Sequence, residues 1–306
     1  DIFRSFQVLK ENISSKMASF SDDTSRFVIL GCGHTGSTLV SGIFKISGFK
    51  TIGFPTSTFE SRYINEVCNW LYERRIGINE KYTVKHMIAA LEKETNGQWC
   101  IKDPLLSFLM DTIYPYINNP IKIIFNIRNP NNTVTHLIEE RKKWRPDLSF
   151  VQAKKSAEME WLRKNKAVID FLGANEIPFL IIDYDDLLEK KLTDLLDRFV
   201  GKPMNYEFIN PKKRRAGPSI VSDEITKFYQ KLQFEMKRNH KFIKENMSPI
   251  KRNFSKYYKV EFYFYILRRK LIKWLPVRIY NKYYGNQPII MEKPFINHEE
   301  FLKKSF

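Results

Sequence analysis

Residues 26–38 read RFVILGCGHTGST: an unbroken apolar run, a glycine-rich turn, and the start of a helical pattern. Phe27 to Leu30 carry no polar residue, which suits a strand buried on both faces. Beyond Ser37, the apolar residues Leu39, Val40, Ile43, Phe44 and Ile46 fall on one helical face, and Gly48 supplies the stop. Gly31, Gly33 and Gly36 lie between strand and helix. The spacing from Gly31 to Gly36, followed by Ser37 and Thr38, nearly satisfies a phosphate-loop pattern in which lysine follows the second glycine. Here Ser37 stands in the lysine's place. Backbone N–H groups from Thr35 to Thr38 can still converge on an anion at the helix start, with the Ser37 and Thr38 hydroxyls adding donors. The lost lysine argues against ATP or GTP hydrolysis. It argues for a nucleotide whose phosphate at this point is not part of a triphosphate. The plainer alternative is a glycine turn without a ligand.

Outward from this turn, helical and strand-like patterns alternate. Amphipathic helices are predicted over 62–77 and 83–95, a short strand over 98–104, and a helix over 105–117. A strong strand follows at 121–127 (IKIIFNI), then helical character from 133 to 143 and a long helix over 150–175. A further strand, IPFLIIDY (177–184), precedes a helix over 186–200. Strands separated by helices at this spacing predict an α/β fold: a P-loop-like three-layer αβα arrangement with a central parallel sheet. Near Pro211 the composition turns basic and aromatic, which predicts a basic helical C-terminal extension. The expected organisation is a lead segment over 1–25, one domain over 26–235, and the extension over 236–306, packed on or beside it.

The net charge of +17 is concentrated in the last third of the chain: residues 210–306 hold 23 of the 51 Lys and Arg but only 8 of the 34 Asp and Glu. Such a field favours anionic partners: nucleotide phosphates, an acidic glycan, a membrane surface or nucleic acid. Residues 257–284 interleave aromatics with Arg268, Arg269, Lys270, Lys273, Arg278 and Lys282. They suit an amphipathic helix on an anionic membrane, a polyanionic glycan groove, or a helix packing its aromatic face on the domain. Nucleic acid is disfavoured because none of its usual modules is present. No apolar run reaches the ~18 residues of a membrane span. No signal-peptide pattern opens the chain, although a start at Asp1 suggests a trimmed native end. Three cysteines, Cys32, Cys68 and Cys100, are too few and scattered for a disulfide framework or a zinc site. A cytoplasmic location, with peripheral membrane association through the extension, is the expectation.

Arg128-Asn129-Pro130 directly follows the strand at 121–127. Ligands in open α/β sheets sit at the carboxyl ends of strands, so Arg128 is placed to share the crevice of the glycine-rich loop. Its forked guanidinium suits a second phosphate. A surface arginine at a strand end is the alternative.

With these two stations in place, the sequence from about 26 to 232 resembles the sulfotransferase superfamily that uses PAPS (3′-phosphoadenosine 5′-phosphosulfate) as donor. GCGHTGSTLVSGIFKISGF resembles the 5′-phosphosulfate loop of bacterial and Golgi-type members. WCIKDP is similar to their Lys-Asp-Pro segment, IRNPNNTVTH to their 3′-phosphate motif, and IIDYDDLL to their Tyr-Glu-Asp-Leu segment. The four occur in the family's order. Two residues depart from it: His34 stands where the family has Arg or Lys, and His136 where it has a phosphate-binding serine. Either imidazole can donate to a phosphate, more strongly when protonated.

The resemblance implies PAPS as donor, 3′,5′-ADP as product, no required metal, and a hydroxyl-bearing acceptor, either a carbohydrate or a small metabolite. It implies Glu60 as general base and Lys102 as the electrophilic group on the transferring sulfuryl; His86 and His136 are the alternative bases that the residues themselves offer. Asp103 either orients Lys102 or caps the next helix. Donor binding falls to Gly33, His34, Thr35, Gly36, Ser37, Thr38, Arg128, His136, Tyr184 and Arg215, with His34 counted among the catalytic groups as well. Tyr184 lies against the adenine or belongs to the core. Lys213, Arg214 and Arg215 either reach the 3′-phosphate or form a solvated turn. Acceptor-lining segments are expected over 51–85 and 140–160. A kinase with a degenerate phosphate loop and a non-catalytic nucleotide- or glycan-binding module are the competing readings.

Overall fold

The run Arg26–Leu30 forms strand β1, and three further apolar runs become β2 (Trp99–Lys102), β3 (Lys122–Ile127) and β4 (Phe179–Asp183). The computed structural model describes residues 25–52, 60–73, 79–210 and 221–250. All strand pairs are parallel, in the order β2-β1-β3-β4. Every residue of β3 and β4 is buried, so helices cover both faces, as a parallel sheet requires. The expected α/β fold with a central parallel sheet is therefore present.

The helices are α1 (Ser37–Ile46), α2 (Arg62–Tyr72), α3 (Glu80–Thr95), α4 (Leu106–Ile113), α5 (Pro130–Trp144), α6 (Phe150–Ala174), α7 (Tyr184–Leu188), α8 (Thr193–Val200) and α9 (Asp223–Asn246). Helix α1 packs its apolar face on the sheet: Phe44 meets Phe27 of β1 at 4.9 Å between ring centroids, and Phe49 closes on Phe27 at 5.2 Å. Burying each such ring stabilises the fold by about 1.5–3 kcal/mol. Among the described residues, no helix is long and apolar enough to cross a membrane.

The chain leaves β1 for β2 on one side, then returns past β1 to β3 on the other. That reversal opens a crevice at the carboxyl ends of β1 and β3. The glycine-rich loop follows β1 and Arg128 follows β3, so both signals meet at the switch point.

Three expectations need correction. Tyr184 does not end a strand but opens α7, because the Asp183 side chain accepts from the Asp185 N–H and starts the helix there. The single helix expected over 186–200 is two, α7 and α8, separated by a turn in which Lys190 has φ 60°. The expected boundary at 235 falls inside α9, which packs against β4 as part of the domain. Residues 251–306, which hold the basic aromatic stretch, lie outside the described residues.

Candidate active site

The loop between β1 and α1 is fastened from three sides. Ser107 of α4 accepts from the Gly31 N–H and donates to its carbonyl, both at 3.0 Å. Asn126 of β3 donates to the Thr35 carbonyl at 2.7 Å and to its hydroxyl at 3.2 Å, and that hydroxyl donates to the Cys32 carbonyl at 2.8 Å. Arg128 donates to the His34 carbonyl at 3.1 Å. Gly36 precedes α1 with φ 87° and offers no side-chain cap. Helix geometry leaves the first-turn amides without intrahelical partners, so the turn presents N–H donors to the crevice.

Arg128 is buried, 6% exposed, and pairs with no carboxylate among the described residues. Its Nε–H has no hydrogen-bond partner among the described residues. The guanidinium lies 4.6 Å from the centroid of the Tyr184 ring, and this contact with the aromatic face stabilises the cation. Asn129 caps α5 by accepting from the Asn131 N–H at 2.9 Å, and Pro130 takes the first helical position, which fixes where Arg128 leaves the strand. A buried guanidinium without a counter-ion is costly on its own, and an anion in the crevice would offset that cost.

Lys102 ends β2 in register with Ile29, two residues before Gly31. It therefore sits one strand, about 4.8 Å, from Ile29, on the neighbouring strand that runs into the loop. Its side chain is 6% exposed, and its ammonium forms an ion pair with Glu60. Glu60 is held at the mouth because Ser61 caps α2, accepting from the Ile64 N–H at 3.2 Å while donating to the Ile52 carbonyl at 2.6 Å. One Asp103 oxygen accepts from the Leu105 N–H just before α4, the other from Asn65 of α2, both at 2.8 Å. Burial pushes the Asp103 carboxyl above its ordinary range, and the neighbouring Glu60 charge pushes the same way, while its hydrogen bonds oppose this.

The two histidines meet at the rim, 5.7 Å between ring centroids. His34, in a left-handed backbone conformation at φ 62°, donates from Nε2 to Glu140 at 2.8 Å. His136 donates from Nδ1 to Glu139 at 3.1 Å. His86 lies 3.3 Å from the Tyr63 hydroxyl, and burial pushes that phenol up to about 12. Cys32 is no thiolate nucleophile, since burial pushes its thiol up to about 12. No group of three or more His, Cys, Asp or Glu side chains suited to a metal ion occurs among the described residues.

No family model and no curated protein matches the chain. Among solved structures it is similar to a sulfotransferase domain from the curacin biosynthetic pathway, at 14% identity and TM-score 0.45 over 68% of this chain and 97% of that one. It is also similar to the sulfotransferase domain of the Synechococcus PCC 7002 olefin synthase, at 16% and 0.37 over 71% and 93%. A third is sulfotransferase STF9 from Mycobacterium avium, at 9% and 0.46 over 78% and 81%. All three are sulfotransferases by name. With TM-scores below 0.5 they carry no weight for the chemistry, which has to come from the crevice itself.

Of the residues singled out from sequence, the loop, Arg128, Tyr184 and His136 gather around one turn, and Lys102 and Glu60 form a pair beside its root. Lys213, Arg214 and Arg215 lie outside the described residues. Sequence reasoning missed Asn126, Ser107, Asn65 and Glu140. Asn126 was discoverable: it is the polar residue inside a strand otherwise built for burial, and such a group needs partners.

Proposed function

We propose that the chain is a PAPS-dependent sulfotransferase acting on a hydroxyl of a carbohydrate or small metabolite. The observation that carries this is Arg128: a buried guanidinium with no carboxylate partner among the described residues, stacked and tied to the phosphate loop at the switch point of the sheet. Two anion stations side by side, without a loop lysine, suit a nucleotide bearing separate 5′ and 3′ groups better than a triphosphate. The amides of Thr35 to Thr38 would hold the 5′-phosphosulfate and Arg128 the 3′-phosphate, with His34 and His136 donating at the rim.

PAPS supplies an activated sulfuryl group, and the chain's residues supply position and charge. Glu60 takes the proton of the acceptor hydroxyl as the acceptor oxygen bonds to sulfur. Lys102 and the loop amides neutralise the electron pair left on the 5′-phosphate oxygen when its bond to sulfur breaks. The sulfated acceptor and 3′,5′-ADP leave, and the proton passes from Glu60 to water.

Calorimetric titration with 3′,5′-ADP tests this reading. Binding independent of magnesium is expected, and Arg128→Ala is expected to weaken it by about tenfold or more, the loss of one charge-assisted contact. ATP binding that requires magnesium, with none to 3′,5′-ADP, would overturn it.

A further inference from the structure

The Lys102–Glu60 pair raises a chemical problem for a base. A carboxylate bound to a nearly buried ammonium cannot take a proton without breaking a charge-assisted hydrogen bond and leaving that ammonium unpaired in the interior, which is costly. Lys102 has no other ionic partner among the described residues. Asp103 cannot replace Glu60 freely, because both of its oxygens are committed to Asn65 and to the Leu105 N–H.

We propose that the Lys102–Glu60 ion pair is a latch opened by the donor's sulfuryl group, which replaces Glu60 as the anion on Lys102 and so releases the base from that ammonium only when donor is in place. This rests on the PAPS reading above. The exchange keeps Lys102 paired throughout: its three N–H donors pass from a carboxylate to a sulfuryl oxygen. It also leaves the Glu60 carboxylate beside that of Asp103, and the repulsion between them is relieved when Glu60 takes a proton. The loop and Arg128 thus hold what PAPS and 3′,5′-ADP share, while the latch reads the one group that distinguishes them. Unsulfated nucleotide leaves it closed, and the base stays neutralised.

Competition for Lys102 makes the test an equilibrium measurement. In the full chain without acceptor, affinities for PAPS and for 3′,5′-ADP are compared by calorimetry. Glu60→Gln removes the competing charge yet keeps a hydrogen-bond acceptor for Lys102. It is expected to tighten PAPS by about tenfold, the equivalent of one charged hydrogen bond, with 3′,5′-ADP affinity held within about twofold. Lys102→Met is expected to erase the preference for PAPS over 3′,5′-ADP in either background. Glu60→Asp, with a shorter reach to Lys102, is expected to move the ratio in the direction of Glu60→Gln, and serves if the glutamine variant does not fold. A PAPS-to-3′,5′-ADP ratio unmoved or lowered by both Glu60 variants overturns the latch while leaving the donor assignment standing. Wild-type chain that fails to bind 3′,5′-ADP overturns the donor assignment itself, and the latch with it.

Discussion

Tyr184 explains why position 36 is glycine. A Cβ built on Gly36 would lie 1.9 Å from the Tyr184 ring, and the backbone there is left-handed at φ 87°. The same ring supports Arg128, so one aromatic side chain couples the phosphate loop to the second anion station. Gly36→Ala is expected to cost about 1–3 kcal/mol in urea unfolding, by strain and overpacking. It should also weaken 3′,5′-ADP. Gly33→Ala is the control, since a Cβ there meets nothing within 4 Å. In a double-mutant cycle with Tyr184→Ala, a coupling of about 1 kcal/mol or more is expected. Strict additivity would show that the clash is absent. The loop's glycines were legible in sequence because each sits in a local pattern. The ring that constrains Gly36 was not, because it arrives from the start of a distant helix, α7. Glu140 hid for the same reason: it meets His34 across 106 residues of chain, and no local spacing encodes that.

At the scale of elements, β4 is the last strand of the described sheet, and α9 covers its outer edge. Asn239 is fully buried. Its amide donates to the Phe179 carbonyl at 2.9 Å while its oxygen accepts from the Ile181 N–H at 3.0 Å. His240 donates from Nε2 to the Ile181 carbonyl at 2.6 Å. Side chains of a helix thus complete the hydrogen bonding that a fifth strand would otherwise supply, which also blunts an edge open to mispairing. Asn239→Leu is expected to leave buried backbone groups unsatisfied, at about 1–3 kcal/mol each, and so to destabilise by about 2–5 kcal/mol in urea unfolding with unchanged m. A loss under about 1 kcal/mol would mean the edge is satisfied otherwise. The four strands were legible because burial on both faces writes them as apolar runs. The role of α9 was not: its decisive residue is polar, sits in a basic stretch, and looks like a solvated face until β4 is beside it. Composition alone therefore made α9 an appendage.

For the molecule as a whole, acid should loosen the clamp between α9 and the sheet. Burial is the main cause that lowers the His240 imidazole below its ordinary value, and Lys244 adds to it. The folded state therefore binds fewer protons at this residue than the unfolded chain does. Its contribution is complete above the unfolded histidine value of about 6.5 and is lost as pH falls through that value toward the lower folded one. Glu160, held low by Lys164 and Arg141 against the opposing effect of its own burial, works in the same direction at more acidic pH. Asp103 and Asp183 oppose it: burial raises both, so their ionisation costs stability that returns as pH falls. The wild-type profile is a sum of these signs, and one substitution isolates the His240 part. His240→Gln keeps an N–H donor for the Ile181 carbonyl and cannot charge. Its thermal midpoint should match wild type at pH 7.5 within about 1 °C and exceed it by about 2–4 °C at pH 5.5, the shift expected for about 1 kcal/mol in a domain of this size. Parallel profiles across that range would show that His240 takes its proton without opposing the fold, and that the clamp on β4 holds in acid.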